Sequence, residues 1–187
     1  NANFDDAAIR QRLIKILRKK TGLIDVAKRN GIELPQMAEL HFSPSATFDC
    51  HEVVDKVGVL AEENEDIRSL KQMCIYGVKG MAAYTEHALN LGFEDLDIYE
   101  IIENTLAEVS RKDISADVLT SLVLNVGEGG IKAMALLDKA NTTTYGNPEI
   151  TNVNIGVRNR PGILISGHDL KDLEELLEQT EGLGVDV

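Results

Sequence analysis

Residues 66–90, DIRSLKQMCIYGVKGMAAYTEHALN, decide the fold class. Ile67, Leu70, Cys74, Val78, Met81 and Ala88 recur at spacings of three, four or seven, the stripe of a helix that faces a core. Gly77 and Gly80 fall inside the stripe, and each costs roughly 1 kcal/mol of helix propensity relative to Ala. The expected return is close approach of another backbone. Gly92 predicts the end of the helix. Working outward, residues 95–110 predict a second helix through Ile98, Ile101, Ile102, Leu106 and Val109. A third is predicted from an N-cap at Ser115 to about Ala140, through Leu119, Leu122, Val126, Ala133 and Leu137. The Gly127-Glu128-Gly129-Gly130 stretch predicts an interruption or kink in it. Towards the start, residues 5–20 predict a helix with Asp5 and Asp6 at its positive end, separated from the next segment by Gly22 and the Gly31–Pro35 stretch. In the intervening region, Ser43-Pro44-Ser45 predicts a turn, and Val53, Val57 and Leu60 fit one helical face.

Beyond residue 140 the pattern changes. Residues 141–152 are polar, contain Gly146 and Pro148, and read as a linker. Val153–Val157 opens an α/β piece, residues 162–166 (Gly-Ile-Leu-Ile-Ser) predict a short buried strand, and Asp169–Glu181 predicts an amphipathic helix. Val185-Asp186-Val187 reads as the start of another strand. The expected architecture is mainly α: a helical-bundle domain over 1–140, a linker over 141–152, and an incomplete first βαβ part over 153–187. Parallel strands are normally buried on both faces. Residues after 150 are therefore expected to be partly disordered, to pack back on the helices, or to self-associate with another copy. The Asn1-Ala2-Asn3 opening and the strand that stops at Val187 read as cut ends.

Composition bounds the chemistry. The chain has 187 residues, with 19 Lys and Arg against 31 Asp and Glu, a net charge of −12 that disfavours general nucleic-acid binding. No apolar run approaches the roughly 20 residues that span a bilayer, so no membrane partner is expected. Two cysteines, Cys50 and Cys74, build neither a disulfide framework nor, alone, a four-ligand metal site, and the default compartment is a reducing cytoplasm.

His168 is the sharpest candidate for chemistry. It follows the predicted strand and precedes Asp169, the expected N-cap of the next helix. That order places its imidazole at the carboxyl end of a parallel strand, where open α/β sheets hold ligands. A neutral imidazole there is a potential metal ligand; the competing reading is a histidine that caps a loop or bonds a carbonyl. His87 is expected to face solvent, since no second ligand stands at i+4. His41 and His51 have no spacing to recommend them. Cys74, on the apolar stripe, is expected to be a buried, inert thiol, and nothing completes a set around Cys50 and His51. Eight Lys and Arg between Arg10 and Arg29 make the start of the chain basic. Without interleaved aromatic residues, a solvated or acid-facing helix surface is expected rather than a nucleic-acid arm. Gly127–Gly130 lacks the Gly-Lys-Ser/Thr ending of a phosphate loop and follows no strand.

The run Ile163-Leu164-Ile165-Ser166-Gly167-His168-Asp169-Leu170-Lys171-Asp172-Leu173 closely resembles the hybrid-cluster proteins, also called hydroxylamine reductases or prismane proteins. The resemblance extends through Ala140–Pro148, Val153-Asn154-Ile155 and Tyr76–His87, touches Asn3-Phe4-Asp5, and is weakest across 30–60. It implies a fragment of a longer oxidoreductase: a helical bundle followed by a Rossmann-like domain, holding a cubane-type iron–sulfur cluster and a hybrid iron–sulfur–oxygen cluster. It further implies reduction of hydroxylamine to ammonia, with nitric oxide reduction and relief of nitrosative stress also attributed to the family. A redox donor is the implied partner. The family's His ligand in the Ser-Gly-His-Asp motif corresponds to His168; neither Cys50 nor Cys74 corresponds to a cluster ligand. No cofactor is expected in this stretch alone. Two other readings stand beside it: a natural short, non-catalytic helical interaction module, and a relative of carbon monoxide dehydrogenase, a family related in fold.

Overall fold

A helix starts where an acidic side chain meets orphan amide groups, and the first helix does so at Asp5. The computed structural model describes residues 5–34 and 58–187, which belong to two compact units, Asn1–Val54 and Asp55–Val187. In the first unit, α1 spans Asp6–Arg29. Asp5 Oδ1 accepts from the Ala8 N–H at 2.9 Å, while Lys28 and Arg29 occupy the last turn, where cations complement the helix dipole. The helix runs through Gly22 rather than ending there, because a single interior glycine weakens a helix without removing a hydrogen bond. Asn30 caps its end and Gly31 turns away at φ +69°. The expected Ser43–Ser45 turn and the face of Val53 and Val57 lie outside the described residues; Leu60 sits in a short 3-10 turn, Val59–Ala61.

The second unit is built on three helices. α2 spans Glu65–Asn90, α3 Leu96–Val109 and α4 Ala116–Tyr145. Each begins on a polar cap: Asn64 Oδ1 accepts from the Asp66 and Ile67 N–H groups at 3.0 and 3.1 Å, Asp95 from Asp97 at 3.0 Å, and Ser115 from Val118 at 3.4 Å. α2 closes in a Schellman arrangement, with Phe93 N–H on the Ala88 carbonyl, Gly92 N–H on the Leu89 carbonyl, and Gly92 at φ +82°. The core is the predicted stripe: Cys74, Val78, Met81, Ile98, Val126 and Ala133 are buried together, with Tyr84, Ile101, Ile102, Leu122 and Leu136 packed on them.

Gly77 and Gly129 explain the closeness of α2 and α4. A methyl at Gly77 would run into Val126 Cγ1, and one at Gly129 into Met81 Cε. The expected close approach therefore occurs at Gly77, against a side chain rather than a backbone. Gly80 has open space over its Cα. α4 passes uninterrupted through Gly127–Gly130 and continues to Tyr145, beyond the expected Ala140; packing of Gly129 in the core offsets the cost of the glycines. Gly146, at φ +88°, ends it.

After Gly146 the chain has no regular structure until α5, Leu170–Thr180. The mainly α class is as expected, but the strand expected over 162–166 does not form. What forms is one isolated parallel bridge between Gly162 and Asp186, with the Ile163 N–H on the Asp186 carbonyl at 2.8 Å and the Asp186 N–H on the Pro161 carbonyl at 2.9 Å. The bridge joins the segments before and after α5 in parallel, the connectivity of a βαβ unit reduced to its first rung. Among the described residues no further rung joins these segments. Ile150, Ile155, Val157 and Leu164 are almost fully exposed. Among the described residues no helix is long and apolar enough to cross a membrane.

Candidate functional site

The site is assembled by α5 and the ends of α2 and α4. Asp169 is the N-cap of α5, its Oδ1 accepting from the Lys171 N–H at 2.9 Å and the Asp172 N–H at 3.5 Å. That cap fixes His168 as the residue immediately before the helix, with an exposed side chain. The second carboxylate oxygen is turned the other way: Asp169 Oδ2 lies 3.4 Å from His87 Nε2 on α2, and both side chains are partly buried. The His87 and His168 rings face each other, with centroids 5.9 Å apart and planes tilted by 42°.

One turn further along α5, a second tie reaches α4. The Tyr145 hydroxyl donates to Glu174 Oε2 at 2.9 Å, and Lys171 Nζ donates to the same oxygen at 2.9 Å. The bonds from Lys171 and then Tyr145 hold the Glu174 carboxyl below its ordinary pKa. The same bond to Glu174 raises Lys171, while desolvation, followed by the bond to Glu174, raises Tyr145. α5 is thus joined to α2 and α4 by polar ties, and none of its own residues is buried. The turn bearing His168 therefore meets the ends of α2 and α4 through Asp169 and Glu174.

The other candidates separate cleanly. His87 departs from the expected solvent-facing histidine: it faces Asp169 and His168. Spacing along α2 could not show this, because its partners lie on another element far along the chain. Cys74 is fully buried and its thiol pKa is pushed up by desolvation, as a core thiol requires. Gly127–Gly130 is helix interior, not a loop. Cys50, His41 and His51 lie outside the described residues.

A depression between residues 154–164 and 177–187 contains the Arg158–Asp186 pair, 3.9 Å apart. Neither His87 nor His168 lines it. It is the open flank of the single β-bridge, and we assign it no chemistry.

An exposed imidazole before a helix N-cap is a competent nitrogen donor to iron. No group of three or more His, Cys, Asp or Glu among the described residues could hold a metal ion.

Comparison with known proteins bears on this geometry. The model of the Prismane/CO dehydrogenase family matches residues 1–187. A protein of Parabacteroides distasonis named hydroxylamine reductase is 53% identical over 188 residues, covering 100% of this chain and 34% of its own length. Proteins of the same name from Desulfitobacterium hafniense and Porphyromonas gingivalis are each 54% identical, again over 100% of this chain and 34% of theirs. The chain spans about a third of the length of the curated relatives it matches.

Proposed function

The chain belongs to the Prismane/CO dehydrogenase family, and we propose that it is a stretch of a hydroxylamine reductase in which His168 supplies one ligand to a hybrid iron–sulfur–oxygen cluster. The observation that carries the assignment of His168 is its exposure directly before the Asp169 cap, with the surrounding turn tied to α2 and α4. When bound, the cluster supplies the electrons that cleave the N–O bond of hydroxylamine, which with protons from solvent gives ammonia and water. This chain's residues supply a nitrogen donor and its placement. Asp169 caps α5 and faces His87, and Glu174 receives Tyr145 and Lys171, so the donor is aimed before any metal arrives. Relatives bearing the name hydroxylamine reductase favour this chemistry over that of a carbon monoxide dehydrogenase.

The division into a helical domain over 1–140, a linker over 141–152 and the first βαβ part of a cluster-binding domain over 153–187 belongs to the same proposal. The parallel Gly162–Asp186 bridge around α5 supports it. A cubane-type cluster elsewhere in the complete protein, a small-molecule substrate, a redox donor, a role in nitrosative stress and a cytoplasmic site of action belong to the same proposal. The exposed Ile150, Ile155, Val157 and Leu164 support self-association of the 187-residue chain through this segment, read as a dimer by size-exclusion chromatography. The enzymatic reading is tested by reconstituting the complete protein anaerobically with iron and sulfide. Bound iron and hydroxylamine-dependent oxidation of reduced methyl viologen are expected. A protein that stays free of iron would overturn it.

A further inference from the structure

We propose that His87 is a positioning residue for His168, acting through Asp169. The inference rests on the reading of His168 as a cluster ligand and extends it to a helix that carries no ligand motif. Asp169 divides its carboxylate between two tasks. Oδ1 accepts the Lys171 N–H at 2.9 Å and starts α5, while Oδ2 lies 3.4 Å from His87 Nε2. Asp169 is thereby engaged on both sides, by the start of its own helix and by the approach of α2. Because His168 and Asp169 share a peptide plane, holding Asp169 sets where the His168 backbone stands.

The anchor stands on a core helix. His87 stands next to the buried Ala88 and two residues after Thr85, whose hydroxyl donates to the Met81 carbonyl at 2.8 Å inside the core. The His87 ring adds a wall, its centroid 5.9 Å from that of His168, which limits where the second imidazole can swing. A metal ligand is commonly oriented by partners that are not ligands themselves, and their loss reduces metal affinity or activity by roughly ten- to a hundredfold. Here the orienting group acts at one remove, through the carboxylate beside the ligand.

The test compares His87→Ala, His87→Gln and His168→Ala in the complete, cluster-loaded protein, reading hydrogen exchange at the Lys171 and Asp172 amides and the electron paramagnetic resonance spectrum of the hybrid cluster. His87→Ala is expected to speed exchange at those amides roughly fivefold, the loss of one modest polar contact. It should also alter the cluster spectrum. His87→Gln, which retains an N–H donor for Asp169, should restore both. An unaltered spectrum in His87→Ala, or a defect that Gln does not restore, would overturn the positioning role. His168→Ala separates this from the underlying reading. If it abolishes the hybrid-cluster spectrum while His87→Ala leaves that spectrum unchanged, only the positioning role fails. If it leaves the spectrum unchanged, the ligand assignment fails.

Discussion

Gly77 and Gly80 lie three residues apart on α2, and replacing each by Ala is predicted to change stability in opposite directions. At Gly80 no atom stands within 4 Å of the new methyl, so the substitution gains helix propensity alone. That gain is about 0.5–1 kcal/mol. At Gly77 the same gain meets Val126 Cγ1, which occupies the place of the methyl. Val126 is buried at 6% exposure and β-branched, so it has essentially one rotamer in a helix and cannot swing aside. Overpacking of this kind costs about 1–3 kcal/mol, which exceeds the propensity gain over most of its range. The two variants should therefore differ by about 1–3 kcal/mol. For a chain of this size that corresponds to roughly 2–4 °C in Tm per kcal/mol. Urea and thermal unfolding followed by circular dichroism measure both. In a Val126→Ala background the penalty of Gly77→Ala should disappear, because the obstructing methyl is gone. A Gly77→Ala variant as stabilised as Gly80→Ala would refute the close packing of α2 against α4.

Single side chains give three further outcomes. Thr105 is fully buried with its hydroxyl unpartnered, so Thr105→Val should stabilise the chain by about 1 kcal/mol in urea melts, the desolvation penalty of an unpaired hydroxyl. Cys74 combines burial with a raised pKa, so the tryptic peptide that contains it should be alkylated at neutral pH only after denaturant is added. The Glu174 carboxyl is depressed in the folded chain, so its contribution is present above its unfolded pKa and is lost as pH falls through the folded value. Acid titration should thus release the Tyr145 tie and raise hydrogen exchange in α5 before α2 or α4 responds, and Glu174→Gln should remove that early step.

The helices were legible where the core writes its period into the chain. The stripe from Ile67 to Ala88 gives α2 within one residue of its start, and Asp95 and Ser115 mark the caps of α3 and α4. Glycine misled in both directions. Gly22 and Gly127–Gly130 looked like breaks, yet an interior glycine removes no hydrogen bond, and Gly129 makes room for the Met81 side chain. The stretch 162–166 was read from its apolar run as a buried strand, but a strand is a pairing: among the described residues only Gly162 and Asp186 pair, and Leu164 is exposed. The Asp169 cap was legible because it adjoins the helix that it starts, whereas the strand end expected before His168 did not form. The approach of His87 was not legible, because helical spacing reports neighbours on one element and is silent about a carboxylate on another.

Everything proposed for the activity turns on the imidazole of His168 being a cluster ligand. The most direct test is pulsed electron paramagnetic resonance of the complete protein with nitrogen-15 histidine, compared with the same protein carrying His168→Ala. The prediction is a histidine nitrogen coupled to the hybrid cluster that vanishes in the variant, while the signal of the cubane cluster persists. A nitrogen coupling that survives loss of the His168 imidazole would contradict it.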